Sequence, residues 1–228
     1  MLQADRTLLD TIGDLIRQLL DEALSILSGR RRGGDHEVSS PVRGRLLLRI
    51  EKGKTMSYES SSGTDLSSLV AGAVVGAAAG AIAVWAMGQV DWFAYNHESE
   101  EARQRTIAAR PSGKDPAHIM VDKVAGMAGK EITQPHPAGI AAHYSLGIAP
   151  GVIYGALHES LPSLSAGRGS LFGLGLFLMQ DEALNAVTGL SGKPQQYPWQ
   201  AHARGFVAHV VYGVVMDSVV RLVKKAVR

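Results

Sequence analysis

A chain of 228 residues with 46% hydrophobic and 19% charged residues, 23 basic against 21 acidic, has averages that hide a sharp segregation. Residues 138–220 carry only seven charged side chains (Glu159, Arg168, Asp181, Glu182, Lys193, Arg204, Asp217) and residues 67–90 carry none, which excludes an ordinary soluble domain with charge on every exposed face. The near-balance of charge excludes a strongly basic nucleic-acid binder, and the absence of cysteine excludes disulfides, thiolate metal sites and cysteine nucleophiles.

In chain order, residues 6–28 spell an amphipathic helix. Leu8, Leu9, Ile12, Leu15, Ile16, Leu19 and Leu20 share one helical face, while Asp10, Asp14, Arg17, Asp21 and Glu22 take the other. The polar face is mainly acidic, a poor match to anionic lipid, which favours docking on a partner helix over lying on the membrane. Acidic residues interrupt the stretch, so it is not a secretory signal. Residues 1–28 are therefore expected to form a cytoplasmic amphipathic helix. Residues 29–66 read as a flexible linker, basic from Arg30 to Lys54 and Ser/Gly-rich from Ser57 onward. Met56 sits at that junction, and a start there or at Met1 is compatible with the sequence.

Four apolar segments follow, giving expected spans at about 67–90, 138–158, 169–190 and 203–223. About 20 residues cross a bilayer core. The first two are free of charge until Glu159; the third is interrupted by Asp181 and Glu182, the fourth by Asp217 and Arg221. The short connection from Ser191 to His202, with Pro194, Tyr197, Pro198 and Trp199, has the pattern of a hairpin turning at an aromatic interface belt. Residues 67–228 thus read as an all-α, four-span transmembrane bundle. The longer loop 91–137 holds a charged stretch, Glu98–Lys114, and a short helix expected over Ala117–Ile132.

Every span carries small or polar residues four apart: Gly72, Gly76, Gly80 and then Gly88; His143, Gly147, Gly151, Gly155 and Glu159; Gly169, Gly173, Asp181, Asn185 and Gly189, with Phe177 the exception; Gly205, His209, Gly213 and Asp217. Such residues line one helix face, and in lipid glycine faces let backbones approach closely. Residues 147–155 resemble residues 205–213 at an offset of 58, which either a duplicated hairpin or convergence on one packing face explains.

Alternation of the spans places His143, Asp181, Glu182, His202 and His209 in the same half of the membrane, with His97 and His136. His158 and Glu159 fall at the other interface. The basic linker and the C-terminal Arg221, Lys224, Lys225 and Arg228 favour cytoplasmic termini, so the polar half faces outward; the basic residues of loop 91–137 count against this orientation. Carboxylates beside histidines in a low-dielectric site can exchange protons. The same residue types also ligate metals or tie helices together by hydrogen bonds. No Walker loop, HExxH, EF-hand loop or haem attachment motif is present, and no nucleophile is distinguished.

The stretch Pro137–Arg221 resembles the YagU-like family of bacterial inner-membrane proteins. The resemblance rests on His143, Gly151, Tyr154 and Gly155; on the pair Asp181-Glu182, with Asp181 standing where histidine is expected; on Gly189, Leu190, Pro194 and Pro198; and on Gly205 with His209. It implies an inner-membrane location and an association with acid tolerance, and it implies no activity.

The reading is a multi-pass inner-membrane protein whose outward His/Asp/Glu cluster binds protons in a response to acid. Its proton and ligand candidates are His143, Asp181, Glu182, His202 and His209. Neither a metal nor another cofactor is expected, and the reading leans away from an enzyme. The alternatives are a small proton- or solute-coupled transporter or channel acting as an oligomer, and a structural scaffold. The expected partners are the lipid bilayer and a second copy or partner helix for residues 6–28.

Overall fold

The computed structural model describes residues 66–226, so the amphipathic helix expected at 6–28 and its linker lie outside the described residues. Within them the chain is helical with no strand. The principal helices are α1 (Leu66–His97), α2 (Glu100–Ala109), α3 (Pro116–Gly126), α4 (Pro137–Leu157), α5 and α6 (Trp199–Ala226). Helix α5 is α-helical over Ser170–Leu176, π-helical over Phe177–Leu184 and α-helical again over Asn185–Val187. Three of these, α1, α4 and α6, are long and apolar enough to cross a membrane.

The segment expected as the third span differs. Its apolar run, Leu171–Met179, gives way to Gln180, Asp181 and Glu182 in the π stretch. Gly189, with φ at +66°, then ends the turn that follows α5. The first helix also exceeds its expected end at residue 90 and runs to His97. Asp91 does not stop it because Arg204 of α6 pairs with that carboxylate at 2.8 Å, and Asn96 bonds back to the Trp92 carbonyl at 2.7 Å. Loop 91–137 is ordered into α2 and α3, capped by the side chains of Ser99 and Asp115.

Helix α1 lies between α4 and α6, and α5 packs on α6. The glycine stripes set both antiparallel contacts. Gly72, Gly76 and Gly80 of α1 meet Gly155, Gly151 and Gly147 of α4, backbone on backbone. Gly169 and Gly173 meet Gly213 and the His209 carbonyl of α6 in the same way, while the Phe177 ring covers Gly205. The two contacts therefore use α4 and α6 positions that correspond at the offset of 58. Gly88, expected on the α1 packing stripe, faces open space, as does Gly175. Between these contacts lies a closed core of Val75, Ala79, Val84, Tyr154, Tyr212, Met216 and Val220.

Two tyrosines bridge helices inside this core. The Tyr212 hydroxyl donates to the Gly147 carbonyl at 2.6 Å. The Tyr154 hydroxyl donates to Asp217 at 2.6 Å, and Arg221 donates to the other oxygen of that carboxylate at 2.6 Å. Asp217, 1% exposed, is thus a satisfied buried anion that ties α4 to α6 at the end of the bundle away from α2 and α3.

Helices α2 and α3 cap the opposite end. Asp122 of α3 anchors the chain that returns to α4, accepting from the Ile132 amide at 2.9 Å and from the Lys114 ammonium at 2.7 Å. The Ile132 hydrogen bond first, and the Lys114 hydrogen bond second, hold its carboxyl below the usual carboxylate range. A carboxyl depressed in the folded state contributes stability above its unfolded pKa of about 3.9, and that contribution is lost as pH falls through the lower folded value. Asp122→Asn should therefore lower the melting temperature in detergent at neutral pH. The gap to the unsubstituted protein should close under strong acid. A gap independent of pH would mean that the carboxylate charge contributes nothing.

Candidate functional site: a polar cavity beneath the cap

A cavity of about 550 Å³ lies under α2 and α3, walled by α1, α4, α5 and α6. His143 of α4, Asp181 and Glu182 of α5, and His202 and His209 of α6 all line it. Trp199, 72% exposed, stands at the capped end of α6 where an aromatic belt is expected. His209 is ten residues further along, roughly 15 Å at 1.5 Å per residue, which puts it deep within the helix bundle.

The tightest pair is Glu182 with His202. The His202 Nε2 lies 3.0 Å from the Pro194 carbonyl, which can only accept, so Nε2 carries a hydrogen. Its Nδ1 lies 2.6 Å from Glu182 Oε1. A carboxylate facing an Nδ1–H and a carboxylic acid facing a bare Nδ1 both satisfy this geometry. In either form one proton is shared between the two side chains, and a shared proton with two resting places is the elementary unit of proton exchange.

Asp181 and His209 are held more loosely. His209, 4% exposed, donates Nδ1–H to the Gly205 carbonyl one turn back at 2.9 Å. Asp181 Oδ2 lies 3.7 Å from that nitrogen, and the Asn185 amide reaches the other oxygen only at 3.5 Å. The Asp181 carboxylate therefore lacks a short hydrogen bond and opens on the cavity with 38% of its side chain exposed. An α-helix separates adjacent residues by about 100°, which would turn Glu182 away from the axis. In the π stretch both carboxylates nonetheless line the cavity, each toward a different histidine of α6. His143, on the α4 face that carries Gly147 and Pro150, is exposed toward the cavity; its ring contact is edge-on to Tyr144, at 6.0 Å between centroids.

The sequence reading missed Arg204, Asp91 and Glu98. Arg204, 8% exposed, donates to Asp91 and to Glu98, and its guanidinium lies 5.1 Å from the centre of the Tyr95 ring. It pins the α1–α2 turn to α6 and so holds the roof of the cavity. A lone arginine inside an apolar segment was the available signal, since such a charge needs a buried partner. His118 also reaches the cavity wall. Its Nε2 accepts from the His136 amide at 3.0 Å, so Nδ1 carries the hydrogen and donates to Asp115 at 2.7 Å. Both ring nitrogens are committed, and the ring packs where a side chain on Gly139 would strike it, so His118 fastens α3 to α4.

The floor of the cavity is the buried core. Tyr212 lines the cavity from below, and Tyr154 and Met216 close the bundle beneath it. Among the described residues no group of three or more His, Asp or Glu side chains converges as metal ligands would. The chain matches no family model, no curated protein and no solved structure.

Proposed function

We propose that this is a four-span inner-membrane protein whose outward cavity takes up protons on Glu182–His202 and Asp181–His209, in a response to acid. The observation that carries the reading is the shared-proton geometry of Glu182 and His202, at 2.6 Å, in a cavity that also holds Asp181, His143 and His209. Helix α5 is the third of the four spans in this reading, and its polar second half faces the cavity rather than lipid. Cytoplasmic termini follow from the basic residues Arg221, Lys224 and Lys225 at the end of α6. The resemblance of residues 137–221 to the YagU-like family supports the inner membrane and the link to acid.

The buried floor favours binding over conduction. A conducting protomer would need a wetted path through Tyr154, Tyr212 and Met216, all of them at or below 2% exposure. Transport by an oligomer is the second reading, with its path between copies.

The test is proton uptake by the purified protein on acidification, followed together with the infrared carbonyl stretch of protonated carboxylic acids. Glu182→Gln and Asp181→Asn keep side-chain shape and abolish titration at each position. Each variant is expected to take up fewer protons than the parent and to lose part of the carbonyl signal. Uptake and signal unchanged in both variants would leave the cluster as a purely structural tie between α5 and α6. Proton flux into liposomes would instead favour the second reading.

A further inference from the structure

We propose that the cavity is a binding site for a zwitterionic primary amine, with the ammonium on Asp181 and the anionic group on Arg110. Four carboxylates line the cavity: Asp91, Asp115, Asp181 and Glu182. Three are committed, Asp91 to Arg204 at 2.8 Å, Asp115 to His118 at 2.7 Å and Glu182 to His202 at 2.6 Å. Asp181 is not, since its nearest donors, the Asn185 amide and His209 Nδ1, stand at 3.5 and 3.7 Å and the histidine proton already serves Gly205. A carboxylate that opens on the cavity with unused acceptor capacity can accept strong hydrogen bonds from a charged donor.

The other charge in the wall is Arg110, which follows α2 at the capped end. Arg204 is neutralised by Asp91 and Glu98, whereas the Arg110 guanidinium forms no ion pair with any described residue. The cavity thus offers one free anion inside and one free cation at the cap. That polarity suits a short molecule entering ammonium first. A primary ammonium supplies the N–H donors that Asp181 lacks, and the rings of Trp92, Tyr95 and Phe177 in the wall suit an organic cation. A bare metal ion would need several converging ligands, and the described residues do not assemble them. This site shares Asp181 with the proton reading but does not require that any group titrate.

The ligand chemistry is the same whether the amine is a free solute or a phosphoethanolamine headgroup of the surrounding lipid. Binding of ethanolamine and of phosphoethanolamine to the full chain in detergent can be followed by tryptophan fluorescence at fixed neutral pH, because Trp92 lines the cavity. Both are expected to bind saturably, phosphoethanolamine about tenfold tighter or more, the effect of one added charge-assisted contact. Asp181→Asn should weaken both. Arg110→Gln, outside the packed spans, should erase the advantage of phosphoethanolamine and leave ethanolamine unchanged. Nanodiscs separate the sources. Weaker apparent binding of free phosphoethanolamine in phosphatidylethanolamine discs than in phosphatidylcholine discs marks the lipid headgroup as occupant; equal binding marks a soluble amine. No saturable response to either probe, or binding by Asp181→Asn equal to the parent's, overturns the proposal. Proton uptake at Glu182 fails or survives independently of that outcome.

Discussion

Gly151→Leu is expected to cost the bundle about 3 kcal/mol or more, the upper end of what overpacking costs. A Cβ at this position would stand 2.5 Å from the Gly76 carbonyl and 2.8 Å from the Gly80 Cα. Both are backbone atoms of α1, so no side chain can rotate away; the two helices must part. Parting them also removes Gly72 from Gly155 and uncovers Val75, Ala79 and Tyr154. Gly175→Ala is the matched control. No atom lies within 4 Å of a Cβ there, and alanine is the better helix former by about 1 kcal/mol. The first variant should melt well below the parent in detergent and the second at or slightly above it. Equal melting of the two would mean that the α1–α4 contact does not hold the bundle together.

Arg204→Met is the second large effect. The side chains of Arg204 and Glu98 are both 7% exposed, and one oxygen of Glu98 has no hydrogen-bond partner even with Arg204 in place. Removing the guanidinium leaves two carboxylates, Asp91 and Glu98, facing an apolar methionine. Breaking a buried pair in this way costs about 3–5 kcal/mol, because the remaining charge is desolvated and unpaired. The cost belongs to the orphaned anion, not to the missing cation. Adding Glu98→Leu to Arg204→Met should therefore recover much of the lost stability, since a buried ion pair replaced by apolar groups is often neutral. A double variant no more stable than Arg204→Met alone would show that Arg204 acts through packing on Tyr95.

Helix type and the use of glycine were readable from the sequence because both follow from local spacing. A residue every four positions must share a helix face, whatever lies opposite. Which stripe docks on which is a different matter. Every glycine face in the chain is compatible with every other, and only the three-dimensional arrangement pairs Gly76 with Gly151 and Gly173 with His209. The same limit hid the π stretch. Nothing in Phe177–Leu184 announces it, nor that within it Glu182 meets His202 while Asp181 turns to His209. Asp91 escaped notice for a simpler reason. A charge ordinarily ends an apolar segment, whereas the partner of Asp91, 113 residues away, lets the helix continue.

In the proposed four-span reading, the short apolar run of α5 has a consequence for the lipid around it. Its uninterrupted apolar run, Leu171–Met179, is about 14 Å long at 1.5 Å per residue, less than half the hydrocarbon thickness of about 30 Å. Helix α1 is uncharged over residues 67–90, enough to match that thickness in full. One bundle therefore presents hydrophobic bands of unequal height on different flanks. Leu171, Leu178 and Met179 are exposed on α5, and in that reading the lipid that wets them thins locally, at a cost of fractions of a kcal/mol per Å. That cost falls in a thinner bilayer, and it falls again when two α5 flanks share one dimple. Membrane thickness thereby becomes a variable that sets where such a protein resides and whether its copies gather.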